Sequence, residues 1–435
     1  MKADLLVSHA RYALVCDDQS RVIEDASLAV RDGIIVAIGP AADVDPMVDA
    51  DRVIDARGHV LMPGLVNLHT HLPMTLLRGV AENVDLQGFL ELVWAEEARV
   101  MDPVGVELGA RLGAVESLLG GTTTALDMYF HPEAAHRGAV AAGLRHVIGP
   151  VYFSFPGPDN LSWQERRDLA ERWPALLAEI GGPRVPIVHM PHAPFTVEVA
   201  HLREIGEVAR AQGGFVNTHC SENDEENAQT LQSRGMRPVD CLRESGVLPL
   251  APVLAHGVRL DAADRTAVAQ AGASVAHCPG SNLKLASGAA DIVGYRADGI
   301  RVGLGTDGCS SSNDLDMFAV MRLAANLARL VHHDPAAIGA ADIVRMATLD
   351  GARAIGLGDR IGSLEAGKEA DFITLDTRVP HLTPLHDPHT AVVFAAGRSD
   401  VRDVVVAGNL VVDQRVPVHV DVAALLAEAD ARVGA

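Results

Sequence analysis

Two histidines one residue apart close an apolar stretch of the chain that runs from Pro63 to His71, with the sequence PGLVNLHTH. In an extended strand, residues i and i+2 point to the same face. His69 and His71 therefore direct two imidazoles toward one point at the end of the strand. This arrangement suits a divalent metal ion, although a His-x-His pair also occurs on ordinary protein surfaces.

Three more metal-type side chains follow apolar strands further along the chain, at His219, His256 and Asp307. Borderline divalent metals bind imidazole together with carboxylate. If the strands are parallel, their carboxyl ends gather at one edge, where these five side chains would meet. We expect three of the histidines and the aspartate to surround a metal ion and to leave one position for water.

The distribution of lysine bears on the number of metal ions. A two-metal version of such a site commonly uses a carboxylated lysine as a bridge, but the chain has no lysine between Lys2 and Lys284. The fourth strand therefore cannot supply one, which indicates a single metal. A bound metal lowers the pKa of water toward neutrality and makes hydroxide available for attack on an electrophile.

A carboxylic acid lies three residues after His219, at Glu222. In this position it can protonate a ring nitrogen while hydroxide attacks the adjacent carbon, and then pass the proton to a departing amine. The alternative is a solvated or helix-capping acid, because Ser221 and the acidic run from Asp224 to Glu226 are typical of a helix start. Next to a metal site, we favour the catalytic interpretation.

The elements that must position these groups alternate between strand and helix from about residue 61. The helical patterns include Val106–Leu119, Glu165–Ile180, Val199–Ala211, Ala262–Gln270 and Leu315–Leu330. The predicted strands are Leu61–Leu68, Thr122–Asp127, His146–Pro150, Val185–Met190, Phe215–Thr218, Pro252–Ala255, Ala273–Ala276 and Val302–Gly305. Eight such units predict an α/β fold, a distorted (β/α)₈ TIM barrel.

Both ends of the chain are rich in short strands. At the N-terminus these are predicted at 5–7, 12–15, 27–31, 34–38 and 52–55, and at the C-terminus at 372–375, 391–395, 401–406 and 409–412. We predict that residues 1–61 and 363–435 together form a small discontinuous β-sandwich domain. The catalytic barrel, residues 62–362, would be inserted into it.

Composition excludes several functions. The net charge of −21 without a basic tract argues against nucleic-acid binding. The five scattered cysteines fit a reducing compartment. The sequence predicts neither a signal peptide nor a membrane span, so we expect a cytoplasmic protein without a membrane partner.

Several segments together resemble the amidohydrolase superfamily, and within it the cytosine, guanine, triazine and adenosine-type aminohydrolases. They are Pro63–His71, Met74–Gly79, Asp127–Tyr129, Pro191–Pro194, His219–Glu222, Ala255–Gly257, Ser281–Leu285 and Gly305–Gly308. The MTLLRG and SNLKL segments in particular resemble S-adenosylhomocysteine and 5′-methylthioadenosine deaminases. The resemblance covers essentially the whole chain.

The resemblance implies a role for each candidate residue. His69, His71, His219 and Asp307 would hold one divalent metal, zinc in the first place, with iron or manganese as alternatives. His256 would orient the attacking water and share its proton with Asp307, and Glu222 would protonate the ring nitrogen. His192 would contact the substrate, and Glu97 would bind ribose hydroxyls. The substrate would be a small molecule, and the protein a homo-oligomer, dimer or tetramer.

The chain differs from the S-adenosylhomocysteine deaminases that it resembles at the position expected to bind the 5′ substituent of the substrate. Enzymes that bind the homocysteine carboxylate place an arginine after strand three, where this chain has Pro150, followed by the apolar loop Ser154–Pro158. We therefore expect a neutral or apolar 5′ substituent, as in 5′-methylthioadenosine or 5′-deoxyadenosine.

Other functions remain open at this point. The chain could deaminate a free purine, a pyrimidine base or a triazine, or open a ring as cyclic amidohydrolases do. It could also be a non-catalytic scaffold, but such relatives typically lose metal ligands, and all of them are present here.

Overall fold

A computed structural model describes residues 1–84 and 86–434, without the side chains of residues 86 and 87. Its strands are β1 (Lys2–Leu14), β2 (Val22–Arg31), β3 (Ile34–Pro40), β4 (Asp49–Asp55), β5 (His59–Pro63), β6 (Leu65–Thr70), β7 (Thr122–Asp127), β8 (Arg145–Val147), β9 (Val151–Tyr152), β10 (Val188–Pro191), β11 (Phe215–Cys220), β12 (Val253–His256), β13 (Ser274–His277), β14 (Arg301–Leu304), β15 (Phe372–Asp376), β16 (Val401–Val406), β17 (Asn409–Asp413) and β18 (Val416–Pro417).

The helices separate most of these strands. They are α1 (Ala41–Val44), α2 (Leu86–Val100), α3 (Pro103–Leu119), α4 (Pro132–Ala141), α5 (Trp163–Ile180), α6 (Val199–Ala211), α7 (Asp224–Arg234), α8 (Pro238–Glu244), α9 (Ala262–Ala271), α10 (Pro279–Lys284), α11 (Ile292–Ala297), α12 (Met317–His332), α13 (Ala340–Met346), α14 (Leu349–Ala354), α15 (Pro388–Phe394) and α16 (Val422–Val433). Single 3₁₀ segments cover 45–47, 72–77, 248–250, 380–382 and 398–400.

The central strands form two parallel sheets, β6-β7-β8 and β9-β10-β11-β12-β13-β14. The predicted third strand, His146–Pro150, overlaps only β8, and β9 begins directly after it in the other sheet. The first and last strands meet at their carboxyl ends, where the Asp307 N–H donates to the His69 carbonyl oxygen at 3.0 Å. The alternation of parallel strands and helices confirms the predicted TIM-barrel-like α/β architecture.

The predicted first strand, Leu61–Leu68, is two strands separated by Gly64. β5 pairs with strands of the terminal segments, whereas β6 pairs with β7. A Cβ at Gly64 would lie 2.1 Å from the Thr123 hydroxyl oxygen, so only glycine allows the chain to pass so close to β7.

Strands from both ends of the chain form one nine-stranded sheet in the order β18-β17-β16-β15-β5-β1-β2-β3, with β4 beside β1. Buried side chains from both ends share a core, among them Leu5 and Leu28 with Leu364, Phe372 and Val405. A β-rich domain built from both ends of the chain is therefore confirmed, and the strands predicted to form a β-sandwich are linked in one continuous sheet. The domain bounds at residues 61 and 362 stay a prediction; β5 of this sheet runs to Pro63.

The strand predicted at Ala391–Ala395 is wrong, because this segment lies largely in helix α15. The Asp387 side chain accepts a hydrogen bond from the Thr390 N–H and caps the helix, and Pro388 occupies its first position. These helix-start signals outweigh the strand-like composition of the segment. Among the residues described, no helix combines the length and apolar character needed to cross a lipid bilayer.

Candidate active site

The five side chains predicted from the strand ends meet at the carboxyl edge of the barrel strands. His69, His71 and His219 form one group whose ring nitrogens could share a metal ion, and His69, His256 and Asp307 form another. The His71 Nε2 lies 3.2 Å from Asp307 Oδ1 and 3.4 Å from His219 Nε2. The His69 Nε2 lies 3.6 Å from the same Asp307 oxygen.

Backbone carbonyls orient two of these imidazoles. The His71 Nδ1 donates to the Met128 carbonyl oxygen at 2.6 Å, and the His219 Nδ1 donates to the His192 carbonyl oxygen at 2.7 Å. Since a carbonyl oxygen can only accept, the proton sits on Nδ1 in the neutral ring and the lone pair on Nε2 faces the cluster. This is the tautomer that a metal ligand needs.

His69 gives the clearest sign that the cluster fits a metal ion. Both of its ring nitrogens are buried without a hydrogen-bond partner among the described residues. A buried polar atom left in this state is costly, and a metal ion would satisfy it. Burial alone would lower the pKa of His71, but its hydrogen bond to Asp307 and the charge of that carboxylate raise it to about 9. The Asp307 carboxylate therefore favours a positive charge at His71 Nε2, where a metal ion would take the place of the additional proton.

Asp307 follows β14 at a sharp turn of the backbone. Its φ of 62° lies in the left-handed region, as does the φ of 70° at His256. Non-glycine residues in this region are strained, and such strain occurs at functional sites. The Ser311 hydroxyl donates to Asp307 Oδ2 at 2.7 Å, and the Gly308 N–H donates to Oδ1 at 2.8 Å.

His256 and Glu222 face each other beside this cluster. The His256 Nδ1 donates to Asn282 Oδ1 at 3.0 Å, and its Nε2 lies 3.7 Å from Glu222 Oε2. Glu222 is 6% exposed, and burial raises the pKa of its carboxyl. A raised pKa suits a group that must carry a proton at neutral pH and then give it up.

The cluster forms one side of a pocket with about 730 Å³ of empty space. His192 also lines it, stacked on Phe153 with ring centroids 4.7 Å apart. Burial lowers the pKa of His192 to about 3, so the ring is neutral. The other walls are mainly apolar and include Phe89, Trp94 and Phe195. Of the described residues that line the pocket, none is a lysine or an arginine.

Glu97, on α2, lies in the same pocket. It is 3% exposed, and its Oε1 accepts a hydrogen bond from the Tyr129 hydroxyl at 2.7 Å. Its Oε2 is buried without a hydrogen-bond partner among the described residues. Burial raises the pKa of the Glu97 carboxyl to about 7. Seven of the eight predicted site residues therefore line one pocket, and the eighth, His69, is fully buried in the cluster beside it.

Three side chains that support the site were not predicted. Tyr129 binds Glu97, Asn282 binds His256, and Ser311 binds Asp307. Tyr129 and Asn282 lie in the DMY and SNLKL segments, which resemble the amidohydrolase superfamily. That resemblance singled out these segments but did not indicate which residues they contact.

The sequence profile of the Amidohydrolase family matches residues 60–411. The chain belongs to the amidohydrolase family. A 5-methylthioadenosine/S-adenosylhomocysteine deaminase of Syntrophobacter fumaroxidans is 39% identical over 419 residues, which cover 95% of this chain and 94% of the relative. The family and its deaminase members place the chain among the hydrolases that act on carbon–nitrogen bonds.

Two solved amidohydrolase-like structures are similar to this one. The structure of an adenosine deaminase from Xanthomonas campestris with bound zinc has a TM-score of 0.95 and 38% identity, over 99% of this chain and 98% of that one. An atrazine chlorohydrolase from Arthrobacter aurescens TC1 in complex with zinc has a TM-score of 0.90 and 26% identity, over 99% of this chain and 100% of that one.

Proposed function

We propose that this amidohydrolase is a zinc-dependent deaminase that converts the amino group of an adenosine-type nucleoside to an oxo group and releases ammonia. The observation that carries the proposal is that four metal-type side chains form one cluster beside a pocket lined by Glu222 and by the buried carboxyl of Glu97. The deaminase and adenosine deaminase relatives support the same reaction.

In this proposal His69, His71, His219 and Asp307 hold the metal. Three imidazoles and one carboxylate match the donors that zinc prefers, and the zinc-bound relatives favour zinc over iron or manganese. When bound, the metal lowers the pKa of a water molecule and so supplies a nucleophile at neutral pH.

The chain's own acids and bases move the protons. Protonated Glu222 gives its proton to the ring nitrogen next to the carbon that is attacked. His256, held by Asn282, and Asp307 accept the proton that leaves the water. The amino group takes up that proton and departs as ammonia, while the proton of the newly added hydroxyl group returns to Glu222 as the oxo product forms, so no oxidant or other reactant is needed. The 3.7 Å separation between His256 Nε2 and Glu222 Oε2 lets one bound substrate contact both groups.

His192 and Glu97 bind and orient the substrate. The neutral ring of His192 contacts the heterocycle or the oxygen that is formed. The unpartnered Oε2 of Glu97 accepts hydrogen bonds from the ribose hydroxyls, while Tyr129 occupies its other oxygen. A carboxylate that gains these bonds favours a nucleoside over a free base.

The residues around the pocket favour a substrate with a neutral 5′ substituent. Arg166 is the arginine nearest in sequence after Pro150, but it is buried and already binds Asp159 and the carbonyl oxygens of Val151 and Pro156. It is therefore not free to bind a substrate carboxylate. Together with the apolar walls, this favours 5′-methylthioadenosine or 5′-deoxyadenosine over S-adenosylhomocysteine.

A deamination screen with ammonia as the readout tests this function. The panel contains 5′-methylthioadenosine, 5′-deoxyadenosine, adenosine, S-adenosylhomocysteine, adenine, cytosine and an aminotriazine. We expect the highest kcat/KM on the nucleosides with a neutral tail. A clear preference for the homocysteine compound would refute the tail assignment. A product heavier by one water without ammonia would indicate ring opening, and no turnover of any compound would support a scaffold.

The expected dimer or tetramer and the cytoplasmic location stay predictions. Size-exclusion chromatography with light scattering would give the oligomeric state.

A further inference from the structure

The segment that carries Glu222 is a tight turn between β11 and α7. Ser221 adopts a left-handed backbone conformation with a φ of 52°. The carbonyl oxygens of Cys220 and Ser221 accept hydrogen bonds from the N–H groups of Gly257, at 3.1 Å, and Arg259, at 2.9 Å. One side of the turn is thus bound to the segment that follows His256.

The other side of the turn is bound by Glu226, which the mechanism does not use. Its side chain is buried, and its carboxylate accepts from the backbone N–H of Ser221 at 3.1 Å and from that of Glu222 at 2.6 Å. Both carboxylate oxygens act as acceptors. The backbone of Glu222 is therefore held in place by a second, buried carboxylate.

Glu226 does not serve as the ordinary cap of its helix. The Asn223 side chain caps α7, since its Oδ1 accepts from the Glu226 N–H at 2.7 Å. The N–H groups that Glu226 binds belong to the turn before the helix. The carboxylate is thus directed toward the loop that presents Glu222 rather than toward the free N–H groups of α7.

We propose that Glu226 is a positioning residue that fixes the Glu222 carboxyl opposite His256 for proton transfer. This inference rests on the proposed function, because it assigns Glu226 a role only through Glu222. Glutamine in its place would keep one acceptor but turn an amide donor toward a backbone N–H, so the turn would lose one of its two hydrogen bonds. A displacement of about 1 Å at a reacting group can cost about 100-fold in rate.

Glu226→Gln tests the proposal against Glu225→Gln, a matched change at an exposed neighbour in the same helical turn. We expect Glu226→Gln to lower kcat on the best nucleoside by about 100-fold, with KM and bound zinc unchanged. Glu225→Gln should match the wild type. Equal kcat values for the two variants would overturn the proposal, as would a loss of zinc or a rise in KM that accounts for the whole effect.

A double-mutant cycle separates positioning from a general structural role. If Glu226 acts through Glu222, Glu226→Gln causes no further loss in a Glu222→Gln background. Equal losses in both backgrounds would overturn the proposal. Full activity of Glu222→Gln alone would instead remove Glu222 from the proposed mechanism, so the two failures are distinguishable.

A melting curve shows whether Glu226→Gln is folded. If it is not, Glu226→Asp replaces it in the same cycle, because aspartate keeps the charge but is too short to reach both N–H groups. The same non-additive result is expected, and an additive result would overturn the proposal.

Discussion

Arg145 and His69 are both fully buried, one at the start of a barrel strand and the other at the end of one, yet their polar atoms are satisfied differently. Arg145 donates to both Asp371 oxygens at 3.0 and 2.9 Å, to Glu369 at 2.7 Å and to the Arg184 carbonyl oxygen at 2.8 Å. In contrast, neither ring nitrogen of His69 has a partner among the described residues.

This difference distinguishes a structural contact, at Arg145, from a candidate ligand-binding site, at His69, within one barrel. The Arg145 junction joins the barrel to the β-rich sheet and is complete as it stands. The mouth of the barrel, where the carboxyl ends of its strands meet, instead holds buried polar atoms of His69 and Glu97 that have no partner among the described residues. Buried groups that lack partners are costly, and those of His69 and Glu97 lie in the metal-type cluster and in the adjacent pocket, where a metal ion and a substrate would supply partners.

The largest expected effect comes from removing a metal-type ligand at the mouth. Asp307→Ala should abolish tight zinc binding and lower turnover by about 10⁴-fold or more, because no activated water is left. The fold should persist, since the barrel core lies elsewhere. Zinc analysis and ammonia release measure the two losses. A fully metallated and active variant would contradict the assignment of Asp307.

Glu222→Gln separates proton transfer from metal binding at the mouth. Zinc content should stay at the wild-type level while kcat falls by about two to four orders of magnitude, because glutamine cannot donate a proton to the ring. The measurement pairs metal analysis with steady-state kinetics. Full activity in this variant would remove Glu222 from the mechanism.

Arg145→Met makes the opposite change, at the junction. It removes the arginine partner of the buried Asp371 and one of the two arginine partners of Glu369, and it should lower the free energy of unfolding by about 3–5 kcal/mol. The folded fraction should keep its zinc and its kcat. The control is Arg301→Met at an exposed arginine that also begins a barrel strand. A junction variant with normal stability and impaired kcat would break the comparison.

Glu97→Gln tests the unpaired carboxylate oxygen on α2. The kcat/KM on 5′-deoxyadenosine should fall by about 10- to 100-fold, because a charged hydrogen bond to the ribose is lost. On 2′,3′-dideoxyadenosine, which lacks those hydroxyls, the change should be small. Glu91→Gln, an exposed position on the same helix, is the control. Equal losses on both substrates would show that Glu97 does not bind the ribose.

The pH dependence of KM is the smallest effect. Burial raises the pKa of Glu97 to about 7, so the carboxyl is protonated below that pH and can no longer accept two hydroxyl protons. The apparent KM for a nucleoside should therefore rise by about tenfold between pH 8 and pH 6. Glu97→Gln should remove this slope. If the pH dependence of KM persists in Glu97→Gln, another group causes it.

The sequence predicted the residues at the mouth because each of them ends an apolar strand, and parallel strands end at the same edge. His69, His219 and Asp307 could be placed together on this ground alone. The strand at Ala391–Ala395 was wrong because valine and phenylalanine suggested a strand, while the helix start at Asp387 and Pro388 lies just outside the apolar run.

The hydrogen bonds that support the site residues could not be predicted from the pattern of apolar and polar residues in the sequence. Tyr129 and Glu97 are 32 residues apart, and His256 and Asn282 are 26 apart. Hydrogen bonds across such separations depend on how loops fold over the strand ends, and strand or helix periodicity carries no signal for them. Glu226 is closer to its partners, but its acidic run is equally typical of a helix start.

A zinc titration tests most directly the claim that four side chains share one metal ion used in deamination. The purified chain is stripped with a chelator, zinc is returned in measured amounts, and ammonia release from the best nucleoside is followed. We predict no turnover without metal and a linear return of activity that reaches its plateau at one zinc per chain. Full activity in the stripped protein, or a plateau only at two zinc ions per chain, would contradict the account.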